Sequence, residues 1–91
     1  MGILSQDERA AMKERLPEWD LEGEILSKTF IHNDFMDAMA FVKRVAEVAE
    51  RAFHHPDIDI RWNKVTLSLT THDAGGLTAK DADLAAVIEG L

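Results

Sequence analysis

The sequence predicts an α+β fold: a four-stranded antiparallel sheet with three helices packed on one face. Three observations carry this. The stretch from Asp34 to Phe53 repeats its apolar residues with a helical period. On each side of it lie two short segments of strand-like alternation separated by turn residues. Capping signatures then open a further helix near each end of the sequence. Strands joined by short turns pair antiparallel, and one layer of helices buries the apolar face that they share. The 91 residues are read as a single domain, 1–91, large enough for one core.

The elements follow in order. Ser5-Gln6-Asp7-Glu8 fits a capping box, so a helix should run to about Arg15 and stop at Leu16-Pro17. Its stripe of Ala10, Ala11 and Leu16 is thin, as for a helix lying on something larger. Trp19 to Glu22 alternates, and Ile25 to Ile31 resumes the strand texture after a turn signal at Glu22-Gly23. The long helix, capped by Asn33 or Asp34, places Phe35, Met39, Val42, Val45, Ala46, Ala49 and Phe53 on one stripe. Phe41 and Val48 form a second shoulder, read either as part of a broad core face or as a contact between subunits of a homodimer or homotetramer.

Pro56 stops that helix, because the residue before a proline is steered out of the α region. Ile58, Ile60 and Trp62 alternate, and Val65, Leu67 and Leu69 alternate with the opposite parity. A two-residue turn at Asn63-Lys64 accounts for the change, setting Trp62 opposite Val65, Ile60 opposite Leu67 and Ile58 opposite Leu69. After Gly75-Gly76, Thr78 and Asp81 resemble a second capping box. The helix that follows has Leu84, Ala85, Val87 and Ile88 as its core face and stops at Gly90.

Composition excludes several functions. A net charge of −7 and no cluster of Lys and Arg argue against nucleic acid. No apolar run reaches membrane-spanning length, and the segment before the first helix is too short for a signal-peptide core. Cysteine is absent, which removes disulfides and thiolate nucleophiles and is compatible with a reducing compartment. A cytoplasmic protein is expected.

Three of the four histidines fall in two patches, His54-His55-Pro56 and Thr71-His72-Asp73. The hairpin register brings both patches to one edge of the sheet. Imidazoles titrate near neutral pH, so a convergent set can donate and accept protons. Glu50, one turn before His54, can hydrogen-bond an imidazole. The chemical rival is zinc, with the three histidines and Glu50, Asp73 or Asp81 as ligands. Adjacent histidines usually point apart, however, so no metal is expected. Ser5, Ser27 and Ser68 lack a nucleophile-elbow context, and Gly75-Gly76 lacks the spacing of a phosphate loop.

Glu50-x-x-x-His54-His55-Pro56, Trp62-Asn63-Lys64-Val65 and Thr70-Thr71-His72-Asp73-Ala74-Gly75-Gly76-Leu77-Thr78-x-x-Asp81 together resemble the pterin-4a-carbinolamine dehydratase family. The resemblance extends through Val45, Phe41, Ala38, Phe35 and Phe30 back to Trp19. Trp62 stands where tyrosine is commoner, and Phe53 where a polar or small residue is more usual.

The resemblance implies a hydro-lyase that dehydrates 4a-hydroxytetrahydropterin to quinonoid dihydropterin during pterin cofactor recycling. The pterin is the substrate, no cofactor is needed, and the functional link is to an aromatic amino acid hydroxylase. It implies His54 and His72 as the acid–base pair, His55 as an orienting catalytic residue, and Glu50 and Asp81 as supporting groups beside Pro56. Thr70 and Thr71 would hydrogen-bond the pyrimidine edge, and Trp19 is either a candidate wall for the substrate tail or a simple core or rim tryptophan. Some members of the family also act as dimerisation cofactors of a transcription activator, so a non-catalytic protein-binding module is the alternative.

Overall fold

The computed structural model describes residues 2–91. Helix α1 spans Gln6–Arg15, β1 Asp20–Glu22, β2 Ile25–Ile31, α2 Phe35–Ala52, β3 Asp57–Arg61, β4 Lys64–Leu69 and α3 Ala79–Glu89. The four strands form one antiparallel sheet in the order β1-β2-β4-β3. The two hairpins are therefore joined along β2 and β4, and α2 crosses between them. Among the described residues no helix is long and apolar enough to cross a membrane.

The sheet has one apolar and one polar face because its strands alternate. Val65, Leu67 and Leu69 of the central β4 are fully buried beside Leu26. Ser27, Thr29, Thr66 and Ser68 face the other way, and the Thr29 and Thr66 hydroxyls meet at 2.8 Å. On the apolar side lie Met12 and Leu16 from α1, Val45 and Ala49 from α2, and Leu84, Ala85 and Ile88 from α3. Each large side chain so buried contributes about 1.5–3 kcal/mol. Both predicted capping boxes close, at Ser5/Glu8 and at Thr78/Asp81, and Asp34 caps α2.

Three expectations are corrected, and one open alternative is resolved. The core face of α2 is rotated from the expected stripe: Ala38, Phe41, Val45, Val48 and Ala49 are buried, whereas Phe35, Met39 and Phe53 are exposed. The cause is an aromatic chain in which Trp19 meets Phe30 edge-on at 5.9 Å and Phe30 meets Phe41 at 4.8 Å. Burying Phe41 on Phe30 turns the helix about its axis. Phe41 and Val48 are thus core residues of this chain rather than a subunit contact. On α1, Met12 is buried and Ala10 and Ala11 are exposed. On α3, Val87 is 51% exposed and Ala82 takes its place in the core.

The turns also move by one residue. Glu22 pairs with Ile25, so Gly23 and Glu24 make the first turn, with Gly23 at φ 58°. In the second hairpin Arg61 pairs with Lys64, Ile60 with Val65 and Ile58 with Leu67. The turn is therefore Trp62-Asn63. Asn63 is pinned to the end of β2, its carbonyl accepting from the His32 amide (2.8 Å) and its side-chain amide donating to the His32 carbonyl (2.9 Å). Trp62 consequently takes the left-handed conformation, φ 51°, and is exposed. Against the expected register each pair is displaced by two residues, an even number, so every side chain keeps its face.

Candidate active site

The end of α2 determines where the two adjacent histidines go. The Phe53 amide donates to the Glu50 carbonyl and the His54 amide to the Ala49 carbonyl, each at 3.2 Å, closing a Schellman motif. Phe53 itself is left-handed, φ 52° and ψ 38°. With Pro56 soon after, the chain turns sharply and the two imidazoles part. The His54 side chain is 11% exposed, with Nε2 2.5 Å from Asp81 Oδ1. His55 stays in solvent, with Nε2 2.5 Å from Glu50 Oε1. The expected Glu50 contact thus falls on His55, and His54 takes its carboxylate from α3.

Asp81 is wholly buried, yet fully partnered. Its Oδ2 accepts from the Thr78 amide (2.9 Å) and the Thr71 hydroxyl (2.8 Å), and the Thr78 hydroxyl lies 2.9 Å from that of Thr71. A buried carboxylate persists as an ion only with such donors around it. Because a carboxylate accepts and does not donate, His54 Nε2 is the donor of this pair.

His72 comes to the same place from the end of β4. Thr71 and Gly76 bridge through both backbone groups, Thr71 N to Gly76 O at 3.1 Å and Gly76 N to Thr71 O at 3.3 Å. Within that closed loop, His72–Ala74 forms one turn of 3-10 helix, which holds the exposed His72 at the rim. His54, His55, Thr70, Thr71 and His72 line one cleft of about 270 Å³, which Phe53, Asp73 and Lys80 complete. A second, more apolar cavity of about 220 Å³ between α2 and α3 shares His54 and Lys80 with it. The first volume lies just below the usual range for ligand-binding clefts.

Of the site residues expected from sequence, His54, His55, His72, Thr70 and Thr71 meet at the cleft, Asp81 lies behind His54, and Glu50 stands beside His55. Pro56 shapes the turn without lining the cleft. Trp19 is corrected. It is fully buried, its indole N–H donates to Glu89 Oε2 at 3.1 Å, and it is a core residue rather than a pocket wall. Lys80 was missed, although its place beside Asp81 in the first turn of a capped helix was a usable signal. Among the described residues no three His, Asp or Glu side chains gather as metal ligands would.

Comparisons with known proteins bear on the family and the fold. The sequence pattern of the family described as pterin 4 alpha carbinolamine dehydratase matches residues 3–91. The chain is 59% identical to a protein of Roseiflexus castenholzii whose name provisionally assigns it as a pterin-4-alpha-carbinolamine dehydratase, over 98% of this chain and 97% of that one. A similarly named protein of Nocardia farcinica is 52% identical, over 98% of this chain and 94% of its own. The fold superimposes on a crystal structure from Brucella melitensis, described as a transcriptional coactivator/pterin dehydratase, with a TM-score of 0.92 and 27% identity. That match covers 98% of this chain and 97% of the other. The chain belongs to the pterin 4 alpha carbinolamine dehydratase family.

Proposed function

We propose that the chain dehydrates 4a-hydroxytetrahydropterin to quinonoid dihydropterin. The observation that carries this is the cleft that His54 and His72 line together, with His54 oriented from behind by a buried carboxylate. In the reaction the C4a–O bond breaks, the hydroxyl takes a proton and leaves as water, and N5 gives up its proton. Electrons and atoms balance without an oxidant, so the pterin is the substrate and no cofactor takes part. One imidazole acts as acid and the other as base, each contributing about 10²–10⁴-fold. His55 orients the ring with support from Glu50, and Thr70 and Thr71 take its pyrimidine edge. The product returns to pterin cofactor recycling beside an aromatic amino acid hydroxylase, in a cytoplasmic setting with which the lack of cysteine is compatible.

The protein is also proposed to self-associate as a homodimer or homotetramer. The support is the outer stripe of α2, where Phe35, Met36 and Met39 are exposed. The same stripe supports the alternative reading, a non-catalytic protein-binding module. The test is a dehydration assay on freshly generated 4a-hydroxytetrahydropterin. His54→Ala and His72→Ala should each slow turnover by about 10²-fold or more with the fold intact. Full activity in both variants ends the two-histidine mechanism, whereas a native chain that does not dehydrate this substrate leaves the binding module.

A further inference from the structure

Glu24 lies in the β1–β2 turn and lines neither cavity at the histidines. Its side chain nevertheless reaches the loop between His72 and α3. Glu24 Oε1 accepts the Leu77 amide at 2.9 Å. The approach needs the bare Cα of Gly76: a Cβ there would fall 2.3 Å from Glu24 Oε1 and 2.9 Å from its Cδ. Arg9 of α1 steadies the carboxylate, with Nη1 3.1 Å from Oε2, and donates a second hydrogen bond to the Gly23 carbonyl. Leu77 is fully buried, and its carbonyl accepts from the Leu4 amide at 2.8 Å, so this residue is held from both sides.

Leu77 sits at the junction of the two halves of the cleft. On its N-terminal side, Gly76 bridges back to Thr71 and so fixes the 3-10 turn that carries His72. On its C-terminal side, Thr78 caps α3 and gives its amide to Asp81, the partner of His54. One hydrogen bond from a remote turn therefore braces the relative placement of His72 and His54, beside the direct contacts of the Thr71 hydroxyl with Asp81 and Thr78. Without it, the Leu77 amide is a buried donor with no acceptor, and the loop must move to regain one.

We infer that Glu24 is a positioning residue for the two-histidine cleft, acting through Leu77 and touching no substrate. This rests on the dehydratase reading and adds to it a residue remote from the chemistry. An error of about 1 Å in placing reacting groups can cost about 10²-fold in rate.

The experiment compares Glu24→Ala, Glu24→Gln and, as a core variant away from the cleft, Leu16→Ala. Glu24→Ala should lower kcat by about tenfold or more with KM within about threefold, since placement matters most in the transition state. Glu24→Gln should keep kcat within about threefold, because a carboxamide oxygen still accepts the Leu77 amide. Leu16→Ala should lower the melting temperature without lowering kcat. Native kcat in Glu24→Ala, equal losses in Glu24→Gln and Glu24→Ala, or the same loss of kcat in Leu16→Ala would each overturn the inference. If the native protein has no dehydratase activity, the functional reading fails by itself. The positioning role is then decided by NMR: Glu24→Ala should shift the His54 and His72 ring resonances and speed exchange of the Leu77 amide. Unchanged spectra would overturn it.

Discussion

Asp81 Oδ1 lies 2.5 Å from His54 Nε2, while Oδ2 of the same carboxylate takes the Thr78 amide at 2.9 Å. One side chain therefore closes the first turn of α3 and fixes the ring of the histidine opposite. Asp81→Asn separates the two tasks. The amide oxygen can still serve Thr78 and Thr71, but its NH₂ then faces His54 and donates. His54 must answer with a bare Nε2 and carry its proton on Nδ1. Nitrogen-15 shifts of the imidazole should report the reversed tautomer, together with a loss of dehydration rate. An unchanged tautomer would refute the assigned hydrogen bond. Asp81→Ala, which removes every contact, should cost about 2–3 kcal/mol in denaturant unfolding.

The Glu50–His55 pair is a different case, despite the same 2.5 Å separation. Its side chains are 78% and 59% exposed, so water screens the attraction. Glu50→Gln should change unfolding free energy by less than about 1 kcal/mol. A slower reaction in this variant would then be an effect on the site, free of any folding defect. A larger stability loss in urea would show that the pair is structural after all.

Trp19 gives a test of core against cleft. Trp19→Ala should cost about 3–5 kcal/mol, the usual range for emptying so large a buried site. Trp19→Phe retains the ring against Phe30 and loses only the hydrogen bond to Glu89. Its affinity for a pterin, read by fluorescence titration, should match that of the native chain. Weakened binding would return Trp19 to the site.

Acid should release the Glu24 clasp. The Leu77 amide is the main cause holding this carboxyl below its ordinary value of 4.5; partial desolvation opposes it, and the Arg9 charge adds to it. A carboxyl whose folded value is depressed stabilises fully above its unfolded value and loses that contribution as pH falls through the folded one. Melting temperatures followed downward through pH 4.5 should therefore fall less steeply in Glu24→Gln than in the native chain, with parallel curves above it. Identical acid limbs would remove Glu24 from the stability of the loop.

The parts of this fold that were legible in sequence depend on neighbours in the chain. Capping boxes at Ser5 and Thr78 join residues three apart, and both formed. The meeting of His54 with His72 was legible because the real register differs from the expected one by an even step. What could not be read depends on distant partners. The stripes around Phe35 and around Phe41 share Val45 and Ala49, and only the contact of Phe41 with Phe30 of β2 decides between them. The Trp62-Asn63 turn is set by His32, just past the end of β2. Glu50 meets His55 rather than His54 because Phe53 adopts a left-handed backbone that nothing in its side chain announces.

The double duty of Asp81 bears on how this family is sorted. A descendant that gives up pterin chemistry is free to change the exposed His72, whereas replacing His54 leaves Oδ1 of the buried Asp81 without its partner. It remains bound to the aspartate, which still has a helix to start and two threonine partners to satisfy. Retention of Asp81 therefore testifies to inheritance of the architecture. Under the proposed mechanism, it is the pair of imidazoles that marks a working catalyst.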